Sequence, residues 1–200
     1  MTWFSRKKSA APESASTARP DLVVPMVSGQ AWMDANAKIF AEIPGFPAGE
    51  RPHAIPLAEG LYLTYAIDPG PSWEVIGVDA AAAYGDADAL RATALGNLRG
   101  RGDIRLQGGD GRFQLTVPDE MDLGGSVVLD PDRWRAAIPL DGDLVVAIPT
   151  RIGVYVCGAD DAASIADLRA LAPQLFDQAD GKPVSPDLYR LTAAGLARLE

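Results

Sequence analysis

The chain has 200 residues, 48% of them apolar and 22% charged, which suits a soluble protein of one domain, or one domain with appendages, with a sizeable core. Net charge is −9, but Arg6, Lys7, Lys8 and Arg19 against Glu13 give residues 1–20 a charge of +3, so the other 180 carry −12. A body that acidic disfavours contact with nucleic-acid phosphates and suits a basic protein partner.

Small and polar residues without apolar periodicity predict a loose tail over residues 1–20, ahead of a single domain over 21–200. Val23 to Met26 is a short apolar entry. Ser28 is placed to cap a helix from about Gln30 to Glu42, with Trp32, Ala35, Ile39, Phe40 and Ile43 as its core stripe. Pro44-Gly45-Phe46-Pro47 ends it in a turn. Ala54–Leu57 and Leu61–Ile67 read as a hairpin, the second strand apolar on both faces. After the turn at Asp68-Pro69-Gly70-Pro71 come a short strand at Trp73–Val78 and a short helix stopped by Gly85. Asp86 or Asp88 then caps a helix to Arg99 with Leu90, Ala94, Asn97 and Leu98 inward.

From Asp103 to Gly158 the strand signal is densest. Ile104–Gln107 and Phe113–Val117 flank Gly108-Gly109-Asp110-Gly111, a glycine-rich hairpin turn. An acidic loop over Pro118–Asp122 leads to a strand at Ser126–Leu129. Asp130 then caps a turn of helix begun by Pro131 that carries Trp134 inward. Leu144–Ile148 and Val154–Cys157 form the last hairpin. Asp160 or Asp161 caps a helix to Asp177, with Ile165, Leu168, Leu171, Ala172, Leu175 and Phe176 inward and a kink or restart at Pro173. Leu188–Leu191 reads as an edge strand, and Ala193–Leu199 as a frayed helix or strand tail.

Chemistry is sparse. His53 is the only histidine, and no G-x-S-x-G elbow exists to partner it. The glycine-rich turn joins two strands and lacks phosphate-loop spacing. Cys157 is the only cysteine, which excludes an internal disulfide and a multi-cysteine metal site and fits a reducing cytoplasm. No run approaches the roughly 18 apolar residues of a membrane span, and no apolar core of a signal peptide follows Arg6-Lys7-Lys8. Asp119, Glu120, Asp122, Asp130, Asp132, Asp141 and Asp143 concentrate carboxylates that would bind a divalent cation only if they converge. The calcium-loop spacing is absent, so no metal or other cofactor is assigned.

The segment Gly142-Asp143-Leu144-Val145-Val146-Ala147-Ile148-Pro149-Thr150-Arg151 resembles a "GDLVVAxPSR" stretch of the YtpQ-like family of bacterial proteins. Leu129-Asp130-Pro131-Asp132-Arg133-Trp134 is similar to that family's Leu-Asp-x-x-x-Trp element. Ala94-Leu95-Gly96-Asn97-Leu98 resembles its "A-x-x-N-L" helix end, and Gly111-Arg112-Phe113 its glycine-turn-aromatic. The likeness spans residues 54–191. Ile152 stands where family members carry an aspartate. The resemblance implies an architecture, and no activity comes with it.

These readings converge on an α+β domain: an antiparallel sheet of five to seven strands against helices near 30–42, 87–99 and 161–177. The leading expectation is a cytoplasmic, non-enzymatic protein-binding or regulatory module, with a metal-dependent hydrolase or a small-molecule sensor as alternatives. Arg151, Asp130, Trp134 and Asp143, beside the last hairpin and the acidic loop, are the candidate binding residues. No residue is assigned a catalytic role.

Overall fold

The computed structural model describes residues 18–70 and 72–200. The expected loose tail therefore lies outside the described residues, apart from Ala18, Arg19 and Pro20. The described chain forms β1 (Val23–Gly29), α1 (Gln30–Ala41), β2 (Ile55–Ala58), β3 (Leu61–Ile67), β4 (Glu74–Val75), α2 (Val78–Ala81), α3 (Ala87–Gly100), β5 (Arg105–Gly109), β6 (Arg112–Thr116), β7 (Leu144–Thr150), β8 (Gly153–Gly158), α4 (Ala162–Asp177), β9 (Leu188–Thr192) and β10 (Gly195–Arg198). Every strand pairing is antiparallel, so the fold is α+β. The strands divide between two sheets. One has the order β1-β3-β2, with β4 also on β3, and the other runs β10-β9-β7-β8-β6-β5.

Side chains alternate across each strand, and the alternation sorts the apolar residues into layers. Val23, Val27, Leu61, Leu63 and Tyr65 of the first sheet share one cluster with Leu144, Val146, Ile148, Val154, Val156 and Tyr189 of the second. The two sheets thus face each other across a common core. Behind the first sheet, Val24, Met26 and Ala66 meet Leu98 of α3. Behind the second, Val145, Ala147, Cys157 and Leu188 meet Leu168 and Ala172 of α4. The order α3, sheet, sheet, α4 buries every residue of β1 and β7, which is why both are mostly apolar on both faces.

A buried edge strand must find partners for its outward backbone groups. Asp68 N donates to Leu22 O and Gln30 N to Gly60 O, so the even-numbered residues of β1 bond to β3 and the odd-numbered groups point away. Pro25 has no N–H to satisfy. Val27 N donates to Ser126 Oγ at 3.3 Å, and Asn97 Nδ2 donates to Val23 O at 2.7 Å. The β1 edge is thus closed by α3 and by the segment Met121–Leu129.

That segment corrects one expectation. Ser126–Leu129 is not a strand, because Met121–Leu129 winds through successive 3-10 turns. It lies against the end of the β7–β8 hairpin, where Gly125 N donates to Arg151 O at 2.7 Å. A Cβ on Gly124 would stand 1.7 Å from the Ile152 carbonyl oxygen. Val127, Val128 and Leu129 are buried by this approach, and an apolar run buried without a ladder looks in sequence like a strand.

Other corrections are local. Ser28 does not cap α1. Gly29 holds that position, and Ser28 Oγ lies 2.8 Å from Thr64 Oγ1. Asp110 and Gly111, with φ of 49° and 79°, make a two-residue turn, so Gly108 and Gly109 belong to β5. β9 is internal, because residues 195–198 add β10 along its outer side. α4 runs through Pro173 as one helix, and its buried stripe is narrow: Ser164, Leu168 and Ala172, with Leu171 exposed. Asp86 and Asp161 cap α3 and α4 as the sequence indicates, accepting from Ala89 N and Ser164 N.

Candidate binding surfaces

The four residues singled out from sequence have different fates. Trp134 is 2% exposed, and its indole Nε1 donates to Val127 O at 2.8 Å, so it belongs to the core. Asp130 is buried and does not cap the turn after it. Its two oxygens instead accept from Arg99 Nε and Nη2, both at 2.7 Å, tying the 3-10 segment to α3. That hydrogen bonding, followed by the charge itself, raises the Arg99 pKa. Asp143 is exposed and lies 3.7 Å from Arg190 on β9. Only Arg151 remains a half-buried group at a loop, and its neighbours are Asp122 of the acidic loop and Lys182. The four do not make one site.

The carboxylates are likewise distributed. Asp68 and Glu120 both pair with Arg101, Asp122 with Lys182, Asp130 with Arg99 and Asp143 with Arg190. Asp119, Asp132 and Asp141 face solvent. Among the described residues, no three His, Cys, Asp or Glu side chains gather in a way that would hold a metal ion. The convergence that a carboxylate-based hydrolase requires is therefore not met by these side chains.

His53 is half-buried. Its backbone N donates to Ile76 O at 2.9 Å, and its ring stacks on Tyr65 with centroids 5.9 Å apart. His53 Nε2 and Tyr65 OH are both buried without a hydrogen-bond partner among the described residues. Burial raises the Tyr65 pKa. Cys157 lies under α4, and burial, reinforced by the Asp161 charge, pushes its thiol up to about 11, far from a nucleophilic thiolate.

Among the clefts on the surface of the described residues are two of note. One of about 630 Å³ is bordered by Arg19, Asp68, Asn97 and Arg101 at the start of β1. The other, about 270 Å³, lies beside α4 and is bordered by Gln114, Tyr155, Asp167 and Leu171. Both are open and partly polar, unlike the enclosed apolar chamber of a small-molecule sensor. No helix among the described residues is long and apolar enough to cross a membrane.

The largest departure from expectation is α1. Its stripe was expected in the core, yet none of its twelve residues is buried. Trp32, Met33 and Phe40 are half-covered, while Ile39 is 39% and Ile43 46% exposed. Phe40 stacks on Phe46 from the following turn at 4.4 Å, so the aromatic pair packs against itself. Both sheets already have a helix on their outer faces, α3 and α4, and α1 is left outside those layers.

A scan against protein-family models, a search of curated proteins and a search of solved structures each returned no match. Two features escaped the sequence reading. One is the exposure of Ile39 and Ile43, since periodicity marks a face without saying what covers it. The other is the meeting of Arg151 with Lys182, 31 residues further along, for which no local signal exists.

Proposed function

We propose that this protein is a non-catalytic protein-binding module whose docking surface is α1 and the turn that follows it. The observation that supports this reading is a helix with an apolar stripe that lies outside the core, with Ile39 and Ile43 open to solvent. A helix of a soluble domain ordinarily turns such a stripe inward, and contiguous exposed apolar surface marks interaction sites. The partner we assign is a polypeptide offering apolar side chains flanked by Lys or Arg. Over residues 30–50, Asp34, Glu42 and Glu50 outnumber Lys38, and the body after residue 20 carries −12. An apolar helix rimmed by acids selects such a partner by burial, while its charge speeds encounter.

We place the module in the cytoplasm on its single buried cysteine. We also retain the YtpQ-like relationship as part of this proposal. Of the segments that carry the likeness, Leu129–Trp134 buries Leu129, Asp130 and Trp134, and Gly142–Arg151 includes β7, so we read the shared feature chiefly as a scaffold that ends at the Arg151 turn. A module of this kind acts by what it holds, and we assign it a regulatory role on that reading.

The test is an amide NMR titration of the labelled protein with a helical peptide built from Leu and Lys. The proposal expects shifts gathered on Lys38–Phe46. Shifts gathered on the exposed edge strand β5, or spread over the whole acidic surface, would overturn it. Sedimentation of the protein alone separates the remaining case: a dimer lost on Ile39→Gln would make the occupant a second copy of this chain and remove the basic partner.

A further inference from the structure

We infer that the end of the β7–β8 hairpin is an oxyanion site, with the Arg151 guanidinium as receptor and the Lys182 ammonium contributing charge through Asp122, the carboxylate it holds and whose charge reaches Arg151. Among the described residues, four arginines are partly withdrawn from solvent: Arg101, Arg133, Arg135 and Arg151. Three of them have acceptors. Arg101 pairs with Asp68 and Glu120 at 3.0 and 3.3 Å, Arg133 donates to Gly102 O at 3.1 Å, and Arg135 donates to Leu140 O at 2.7 Å. Arg151 is the exception: its Nε is buried and has no hydrogen-bond partner among the described residues. None of the ion pairs formed by described residues includes it.

The backbone explains why the side chain stays there. Arg151 N donates to Lys182 O at 3.2 Å, and Arg151 O accepts from Gly125 N at 2.7 Å. The residue is pinned on both sides, between the Lys182 loop and the Met121–Leu129 segment. A charge taken out of water without an acceptor is costly and needs a counter-group. Burial lowers the Arg151 pKa, and the Asp122 charge opposes that shift without cancelling it. Asp122 is itself engaged by Lys182, in an ion pair without hydrogen-bond geometry. The group therefore holds two cations and one carboxylate, an excess of one positive charge inside a strongly acidic protein.

Guanidinium presents parallel N–H donors that match the two oxygens of a carboxylate or phosphate, and a neighbouring ammonium adds a point charge. Asp122 sets the limit on the ligand, because its carboxylate repels a second negative charge. The ligand is a singly charged oxyanion, either free or carried on a partner chain. This site is independent of α1.

The experiment compares melting of the wild type and Arg151→Met in sodium phosphate, sodium acetate and sodium chloride at equal ionic strength and about pH 6, where phosphate is mainly the monoanion. Phosphate, acetate or both should raise the wild-type Tm, by about 4 °C at ten times the Kd. Arg151→Met should show only the general effect of each salt, so the wild type should gain more than the variant. An equal rise in both proteins, or none in the wild type, overturns the site. Should Arg151→Met not fold, the Arg151 Nε–H resonance of the wild type decides. It should shift saturably with phosphate or acetate and stay still in chloride, and an unmoved resonance refutes the proposal.

Discussion

Replacing Gly124 with alanine would put a Cβ 1.7 Å from the Ile152 carbonyl oxygen, a separation no relaxed structure tolerates. The obstacle is backbone, so no side chain can swing aside. The Met121–Leu129 segment must lift away from the hairpin, which also loosens the bond from Gly125 N to Arg151 O. Overpacking of this kind costs about 1–3 kcal/mol, and the lost hydrogen bond adds about 1 kcal/mol. For a domain of this size, a total of roughly 2–4 kcal/mol lowers Tm by about 5–15 °C. The control is Gly96→Ala, the same chemical change in α3, where nothing lies within 4 Å of the new methyl group. Alanine there favours the helix by about 1 kcal/mol and should raise Tm by about 2–4 °C. Differential scanning calorimetry reads both. A Gly124→Ala protein melting within a degree of wild type would show that the segment does not clamp the hairpin.

Leu168→Asp buries an unpaired carboxylate under α4 and should abolish cooperative melting by circular dichroism; a wild-type transition would show the α4 stripe to be solvent-facing. Alkaline pH should destabilise the fold. With the Cys157 thiol up to about 11 against an ordinary value near 9, the unfolded chain loses its proton first, so stability declines between those values by at most about 1.4 kcal/mol per pH unit. Tyr189, pushed up to about 12 by burial, extends the decline at higher pH. Melting curves of Cys157→Ala should therefore fall less steeply between pH 9 and 11 than those of wild type, and parallel curves would contradict the assignment. The native thiol should also resist alkylation near neutral pH and react on unfolding, as followed by mass spectrometry.

What could be read from the sequence depended on how local its cause was. Asp86 and Asp161 act within one turn of their own helices, and the Leu90, Ala94, Leu98 stripe repeats at helical spacing, so these features stand as expected. The β7–β8 hairpin is equally local. The division into two sheets was not legible, because β1 and β7 are apolar on both faces and say nothing about which strand lies beside them. Val127–Leu129 misled for the same reason: burial on all sides produces an apolar run whatever the backbone does. Asp130 has the sequence context of a cap, and only its meeting with Arg99, 31 residues earlier, shows it to be a tie between elements. Arg151 was marked by its hairpin, whereas the backbone bonds that pin it come from Gly125 and Lys182, both distant in sequence. For α1 the pattern was read correctly as a helix and wrongly as core, since an amphipathic stripe is the same whether the fold or a partner covers it.

In the proposed role, Ile39 and Ile43 serve binding and not folding. The direct measurement is the calorimetric Kd of the Leu/Lys peptide for wild type and for Ile39→Gln/Ile43→Gln, taken beside their melting temperatures. Covering the exposed portions of two isoleucines is worth about 1 kcal/mol each, so the double variant should bind about 30-fold more weakly. Its Tm should stay within about 2 °C of wild type, because neither side chain is in the core. Unchanged affinity, or a Tm that falls as far as a core substitution would take it, would contradict the account.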